Sequence, residues 1–467
     1  GDTPFDRPIT QYHVPAGSFN LPQLFFKVRV PSILVSLGCP AACDFCNTSA
    51  FFHHKKIYVA EPQQVYDFMK NHQKKNGDAY QVFALFDEDL FLNPEYVREL
   101  GRLIRSDKKT WGFRYFAFGS IGALSKFEPQ ELRENGLGIV WIGVESGIQT
   151  DNTVIPSAEA QAKAEAEAKS HEGHSKTGYK KRDGAKSAPE VFKGLQDHGI
   201  ATIASMILGF DFHTRENLKP DIDYFVSLKP TFYQIGVLTP CPGTKLYKKL
   251  VEDDRIMEHF SWEDIHLWKA DVFKVKNFEP NELKEYFDYA HHSLFTRNGP
   301  PLIQLYELSL RAHKTLKDSE SEFLRYQAES GLSLAKVINL LSGWIIDHAP
   351  SPEVKERVKE LDRQFEALGI TDSILSKLPR ELIRNAINVL LDGAAPVFDQ
   401  GRETVHFARW TYYNQPGRTE PLVVKAGSSA VRSALIDTLK KPVTALRFLD
   451  VNEIERKIKR MAGVSLR

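Results

Sequence analysis

This sequence has almost no net charge, few cysteines and no long apolar run, and each shortage excludes a class of protein. Its 61 basic and 60 acidic side chains cancel to +1 over 467 residues, so no global field holds a nucleic acid. No stretch approaches the roughly 20 consecutive apolar residues of a membrane-spanning helix. The first residues, Gly1 to Asp6, lack the basic and apolar regions of a signal peptide. Four cysteines in a chain of this length are too few for a disulfide scaffold. Together these shortages predict a soluble, cytoplasmic protein in a reducing compartment. The length predicts two or three domains with ample chain for a large core.

Cysteine is scarce but concentrated. Three of the four residues fall together as Cys39-Pro-Ala-Ala-Cys43-Asp-Phe-Cys46. This CxxxCxxC spacing is that of a loop holding a [4Fe-4S] cluster through three thiolates, with the fourth iron open to chelate a substrate or cofactor. A structural zinc site normally closes four ligands, often as two separated pairs, and no second Cys/His cluster of that spacing follows.

Between Pro31 and about Leu238, apolar runs alternate with amphipathic segments. Candidate strands are 33–37, 81–86, 114–119, 139–144, 202–208 and 232–238. Each is short, rich in β-branched and aromatic residues and nearly continuous in hydrophobicity, as parallel strands buried on both faces should be. Helix starts are legible where Asn93-Pro94-Glu95, Glu61-Pro62 and Ala188-Pro189-Glu190 precede apolar stripes. Six βα units imply an α/β fold, a partial (βα)6 barrel. One connection, about 151–183, is too long and alanine-rich, and reads as an exposed helix or excursion inserted after the fourth long strand. The expected domains are a leader over 1–30, the barrel over 31–280 and a mainly helical C-terminal domain over 281–467. In the last, helical periodicity covers 283–295, 302–316, 332–348, 354–368 and 382–391, and a small β-hairpin is expected over about 404–425.

Active sites of parallel β-barrels lie at the carboxyl ends of the strands, and the informative residues follow the strands. Phe45 precedes Cys46 in the cysteine loop, and Asp87-Glu88-Asp89-Leu90-Phe91 follows the second candidate strand. Gly143-Val144-Glu145-Ser146-Gly147 ends the fourth, Met206-Ile207-Leu208-Gly209-Phe210 ends the fifth, and Thr239-Pro240-Cys241-Pro242-Gly243-Thr244 follows the sixth. In order and placement this set resembles the radical S-adenosylmethionine (SAM) superfamily, most closely the catalytic half of its cobalamin-dependent, methyltransferase-like group. The resemblance covers roughly Pro31 to Thr244.

The resemblance implies that Cys39, Cys43 and Cys46 bind a [4Fe-4S] cluster whose free iron takes SAM, positioned by Phe45, Glu145 and the backbone near Ser205 and Thr239. It further implies reductive cleavage of SAM to a 5'-deoxyadenosyl radical that abstracts hydrogen from an unactivated carbon, leading to methylation or another modification. The expected partners are an electron donor such as flavodoxin or ferredoxin and a small-molecule or lipid-like substrate, which Trp344, Trp410, Tyr412 and Tyr413 would cap unless they are core. Cobalamin is expected only through a domain outside this chain, since no Asp-x-His-x-x-Gly signature is present. Two alternatives stay open: a cobalamin-independent lyase, cyclase or epimerase, and a non-catalytic iron-sulfur binding protein.

The sequence also departs from the pattern. Gly119-Ser120-Ile121-Gly122 stands where relatives often have a polar residue and an arginine. Asp211-Phe212-His213-Thr214 replaces Pro-Gly-Glu-Thr, which leaves that loop's conformation open. Cys241 reads as a small buried hydrophobe, and Glu145 has a plain reading as the cap of the turn that follows it.

Overall fold

Apolar on both faces, the runs of the first half have only one way to bury themselves, which is to pair side by side beneath helices. A computed structural model describes residues 30–76, 81–148, 186–258, 272–279 and 282–369. Its strands are β1 (Ser32–Leu34), β2 (Ser36–Leu37), β3 (Ile57–Tyr58), β4 (Gln81–Phe86), β5 (Phe113–Ser120), β6 (Leu137–Glu145), β7 (Ala201–Leu208) and β8 (Phe232–Val237). Six form one sheet in the order β1-β4-β5-β6-β7-β8, every pair parallel. The α/β, partly barrel-like architecture expected from the sequence is therefore present.

Helices fill the crossovers. In chain order they are α1 (Asn47–Phe51), α2 (Pro62–Asn76), α3 (Pro94–Arg105), α4 (Ile121–Leu124), α5 (Pro129–Glu134), α6 (Ala188–Asp197), α7 (Leu218–Ser227) and α8 (Lys245–Glu252), then α9 (Glu282–Ser293), α10 (Pro301–Leu316), α11 (Glu322–Asp347) and α12 (Pro352–Ala367). Local chemistry sets their starts. Asn93 accepts the Tyr96 N–H ahead of Pro94, and Ser187 and Glu190 form a capping box ahead of α6.

The chain divides into two units. In the first, which holds the described residues 30–298 and 311–330, the two faces of the sheet differ. Phe113, Tyr115, Ala117, Val140 and Ile142 are fully buried, whereas the alternating Phe116, Phe118, Trp141 and Gly143 are only partly so. The second unit holds the described residues 299–310 and 331–369. Its core is Ile303, Tyr306, Leu332, Ile338, Val354, Val358 and Leu361. Inside it the Tyr306 hydroxyl and Asn339 Nδ2 both donate to Asp362 Oδ1, at 3.0 and 2.9 Å.

Two expectations change in detail. The run 33–37 is not one strand, because the Val35 N–H donates to Phe86 O (2.8 Å) while its carbonyl accepts from Val59 and Ala60. The chain thus leaves the large sheet at Val35 and forms the antiparallel β2–β3 ribbon. Helix α11 begins ten residues before the expected 332, since Gly331 interrupts the pattern without breaking the helix. Its early turns are anchored by Phe323 and Tyr326 against Trp111 and by Gln327 Nε2 donating to Trp111 O (2.7 Å). The expected leader, the 151–183 insertion, the 382–391 helix and the 404–425 hairpin lie outside the described residues.

Helix α3 carries a glycine that propensity alone would replace. A Cβ on Gly101 would stand 2.1 Å from Asn135 Oδ1 and 2.6 Å from Asn135 Cα. Alanine gains about 1 kcal/mol of helix propensity, but a clash with backbone costs about 1–3 kcal/mol. Gly101→Ala is therefore expected to lower stability by on the order of 1 kcal/mol in urea unfolding; a stabilised variant would contradict this close approach.

Candidate active site at the carboxyl ends of the strands

The cysteine loop is closed at its base and pinned from within. The β2–β3 pairing clamps its ends, with Leu37 opposite Ile57. Gly38 has φ +80, and a Cβ there would meet the Lys55 carbonyl at 2.1 Å, so only glycine fits. Inside, the buried Ser49 Oγ donates to Cys39 O (2.8 Å) and accepts the Ala42 N–H (3.1 Å). Ala42 is thereby held at φ +56, a conformation uncommon for residues other than glycine. Cys46 stands at the N-cap of α1. Asp44 O accepts the Leu246 N–H (3.0 Å), which ties the loop to the segment after β8. The sequence reading missed Ser49, since a serine three residues after a cysteine carries no signal of its own.

Cys43 is buried, while Cys39 and Cys46 are partly exposed. Burial pushes the Cys39 thiol up, with Asp89 and Cys43 adding to the effect; a bound metal reverses that preference, because coordination deprotonates a thiol outright. Among the described residues no three His, Cys, Asp or Glu side chains converge on a point that would hold a single ion. A cubane makes a different demand, since each thiolate binds its own iron. The three thiols on one pinned loop fit that demand. Burial also raises the Cys241 thiol, with Cys46 contributing next, so Cys241 lies within electrostatic reach of the loop.

After β4, Lys56 and the acidic run form a hydrogen-bonded network in which Glu88 Oε2 and Asp89 Oδ1 are buried without a hydrogen-bond partner. Lys56 Nζ donates to Asp87 Oδ1 (2.6 Å) and Asp89 O (2.7 Å), and Ser36 Oγ donates to Asp87 Oδ2 (2.7 Å). Burial alone would depress the Lys56 ammonium, but the Asp87 carboxylate outweighs it and holds the group up. Burial raises Asp89 to about 6, against the pull of Ser120 and Lys56. Ser120, in the segment that departs from the family pattern, caps α4 by accepting the Ala123 N–H and donates its own N–H to Asp89 Oδ2.

Glu145 ends β6 at φ +57, after a register shift between Gly143 and Glu145 against β7. Its side chain folds back over Gly143, where a Cβ would meet Glu145 Oε1 at 2.5 Å. Oε2 is shut off from water without a hydrogen-bond partner, and burial raises the carboxyl to about 7. The turn after it is capped by another residue, as Asp221 Oδ2 accepts from Ser146 Oγ (2.6 Å) and Oδ1 from the Gly147 N–H (2.6 Å). Asp221 was missed in the sequence, since Ser146 and Gly147 lie over 70 residues away from it.

The other expected residues are placed as follows. Ser205 on β7 is in register with Gly143 on β6 and Gln234 on β8. Thr239 follows β8, its hydroxyl donating to Val237 O (3.0 Å) and its carbonyl accepting from Cys241. Phe45 rests edge-on against Phe210 at 5.7 Å, against a core of Leu238, Leu246, Leu250 and Phe273, so its ring is committed to packing. Side-chain placement of Trp344 and all of 410–413 lies outside the described residues.

An acid raised by burial binds its proton more tightly when folded than when unfolded. Its stabilising effect is complete below the unfolded value and is lost as pH rises through the folded one. For Glu145 that window runs from 4.5 to about 7, worth on the order of 3 kcal/mol; Asp89 adds in the same direction up to about 6. Glu145→Gln is expected to remove this contribution from the pH dependence of thermal unfolding of the cluster-free protein, to which the buried His291, lowered to about 4, contributes in the opposite direction. An unaltered slope would mean that Glu145 is not desolvated.

No family model matches the chain. A bacteriochlorophyllide d C-12(1)-methyltransferase of Chlorobaculum tepidum is 27% identical over 280 residues, 59% of this chain and 53% of that protein. An anaerobic magnesium-protoporphyrin IX monomethyl ester cyclase of Cereibacter sphaeroides is 24% identical over 263 residues, 55% of this chain and 37% of that protein. Among solved structures, a radical S-adenosylmethionine methyltransferase from Kitasatospora setae, with cobalamin and a [4Fe-4S] cluster bound, is similar at 14% identity over 67% of this chain and 61% of that one, with a TM-score of 0.39. The chain spans about half the length of the first of these curated relatives, at 53%. The cysteine loop and the strand-end residues thus stand in their expected order along one parallel sheet, in a chain similar in sequence to a methyltransferase and a cyclase.

Proposed function

We propose that this chain is the catalytic part of a radical SAM enzyme that modifies an unactivated carbon, with methylation as the favoured outcome. The observation that carries the reading is the Glu145 carboxylate. It is desolvated, lacks a partner at Oε2 and stands at the end of β6 in the same sheet whose first strand leads into the three-thiol loop. Burying an unpaired carboxylate is costly unless a cationic ligand completes it, and SAM carries both an ammonium and a sulfonium. When bound, the cluster and SAM supply electron transfer into the sulfonium and release of a 5'-deoxyadenosyl radical for hydrogen abstraction.

The protein's own residues do the rest. Cys39, Cys43 and Cys46 would hold three irons and leave the fourth to SAM, and Glu145 would accept hydrogen bonds from the SAM ammonium. Ser205 and Thr239 line the neighbouring strand ends, and the backbone at Phe45 is fixed by its packed ring. Asp89 and Lys56 lie close enough to Cys39 to act on its charge, and they keep bulk water from that side of the loop. An external electron donor and a reducing, cytoplasmic setting follow from the same chemistry.

On the substrate side, the partly exposed face of the sheet carries Phe118 stacked on Trp141 at 5.5 Å, with Phe116 edge-on at 5.0 Å. Phe86 lies two residues beyond Ala84, the partner of Phe116, and is 38% exposed. An aromatic surface of this kind suits an apolar, planar or lipid-like substrate. The named substrates of the two curated relatives, a bacteriochlorophyllide and a magnesium-protoporphyrin ester, are planar. Cobalamin would enter only with a partner domain. Cyclisation is the second reading, favoured by the cyclase among the relatives.

Anaerobic reconstitution tests the proposal. Binding of about four irons, near-visible absorption and 5'-deoxyadenosine formation are expected for the wild type. Replacing Cys39, Cys43 or Cys46 with Ala should reduce all three to background, while Cys241→Ala leaves them intact. S-adenosylhomocysteine among the products marks methyl transfer. A cluster that survives Cys43→Ala and vanishes with Cys241→Ala would reverse the ligand assignment.

A further inference from the structure

Glu145 occupies a left-handed conformation that a non-glycine residue adopts only when its surroundings impose it. The turn directly after it is held by a buried pair on the next βα connection. His213 follows β7, and Asp221 lies in the first turn of α7; their side chains are 0% and 1% exposed. The Gly209 N–H donates to His213 Nδ1 (3.1 Å). Nδ1 is therefore an acceptor, which assigns the ring proton to Nε2, and Nε2 donates to Asp221 Oδ2 at 3.3 Å. Asp221 in turn receives Ser146 Oγ and the Gly147 N–H. Ser146 Oγ also accepts the Ile148 N–H at 3.0 Å. Helix α7 approaches the same turn closely, because a Cβ on Gly147 would meet the Tyr224 ring at 2.2 Å.

We propose that His213 and Asp221 are positioning residues that set the Glu145 carboxylate for its cationic ligand. The proposal rests on the radical SAM reading and adds to it the part of this chain that replaces the family's usual glutamate at His213. The pair joins the loops after β6 and β7, so that the two backbones which would flank the ligand move as one. Neither side chain need touch the ligand. Asp221 has its oxygens committed to Ser146, Gly147 and His213, and His213 has both nitrogens committed to Gly209 and Asp221.

A role as core filler and a role in positioning separate by substitution. His213 also packs against Phe210 and Phe212, with ring centroids 5.6 and 4.6 Å away. His213→Leu keeps that apolar volume but removes the relay, whereas His213→Gln retains one acceptor and one donor. Two measurements on the reconstituted holoenzyme are used: SAM affinity from the cluster's absorption change, and hydrogen exchange of the peptide over 144–148 before SAM is added. The expected result for His213→Leu is about tenfold weaker SAM affinity and faster exchange of 144–148, with cluster content unchanged. His213→Gln should stay within about twofold of wild type on both.

If the leucine variant does not fold, Ser146→Ala and Asp221→Asn carry the same test, each expected to speed exchange and weaken SAM binding. Unchanged exchange and affinity in His213→Leu, or a glutamine variant as impaired as leucine, would overturn the proposal. Failure of the wild type to respond to SAM would overturn the radical SAM reading. In that event the exchange measurement alone decides whether the pair holds the loop.

Discussion

A carboxylate oxygen shut off from water without a partner is expensive to keep, and Glu145 Oε2 is one of several such oxygens among the described residues. Much of the first unit's upper edge is arranged around it. β6 slips register against β7 just before it, Gly143 leaves room for its side chain to fold back, and the turn after it is locked by Asp221. In the free protein this geometry is a liability that grows as pH rises. With a cation against Oε2 the same desolvation becomes an advantage, because the attraction is stronger where water is excluded.

The three-thiol loop is held instead by short local contacts. Ser49 bridges Cys39 and Ala42, the β2–β3 ribbon closes the base, and Gly38 permits the tight approach to Lys55. Local hydrogen bonds of this kind orient ligands before metal arrives and reduce the ordering that binding must impose. The Lys56–Asp87 pair and Asp89 stand between this loop and the strand end of β4. The contacts that would hold the metal are thus separate from those around Glu145, so that damage on the Glu145 side is expected to leave the cluster intact.

The parallel strands were legible because burial on both faces writes a continuous apolar run into the sequence, and the three cysteines stand out in the sequence by their spacing. The position of Glu145 at a strand end was legible through its flanking glycines and its place in an ordered set. What holds these residues was not. Ser146 meets Asp221 across 75 positions and Lys56 meets Asp87 across 31, and a polar residue with a distant partner looks like any solvated one. His213 appeared only as a departure from a family pattern, whereas in the folded protein it is fully buried and doubly hydrogen-bonded. Local apolar continuity also misled once, since the run 33–37 reads as one strand although Val35 hands the chain from one sheet to another.

The central claim is that three thiolates leave one iron of a cubane to a ligand that Glu145 helps to hold. Mössbauer spectroscopy of the iron-57-reconstituted protein, with and without SAM, tests it most directly. The account predicts that about one iron in four changes its isomer shift when SAM is added, as expected for a single non-thiolate site, and that this change weakens in Glu145→Gln. Four irons that do not respond to SAM would contradict it.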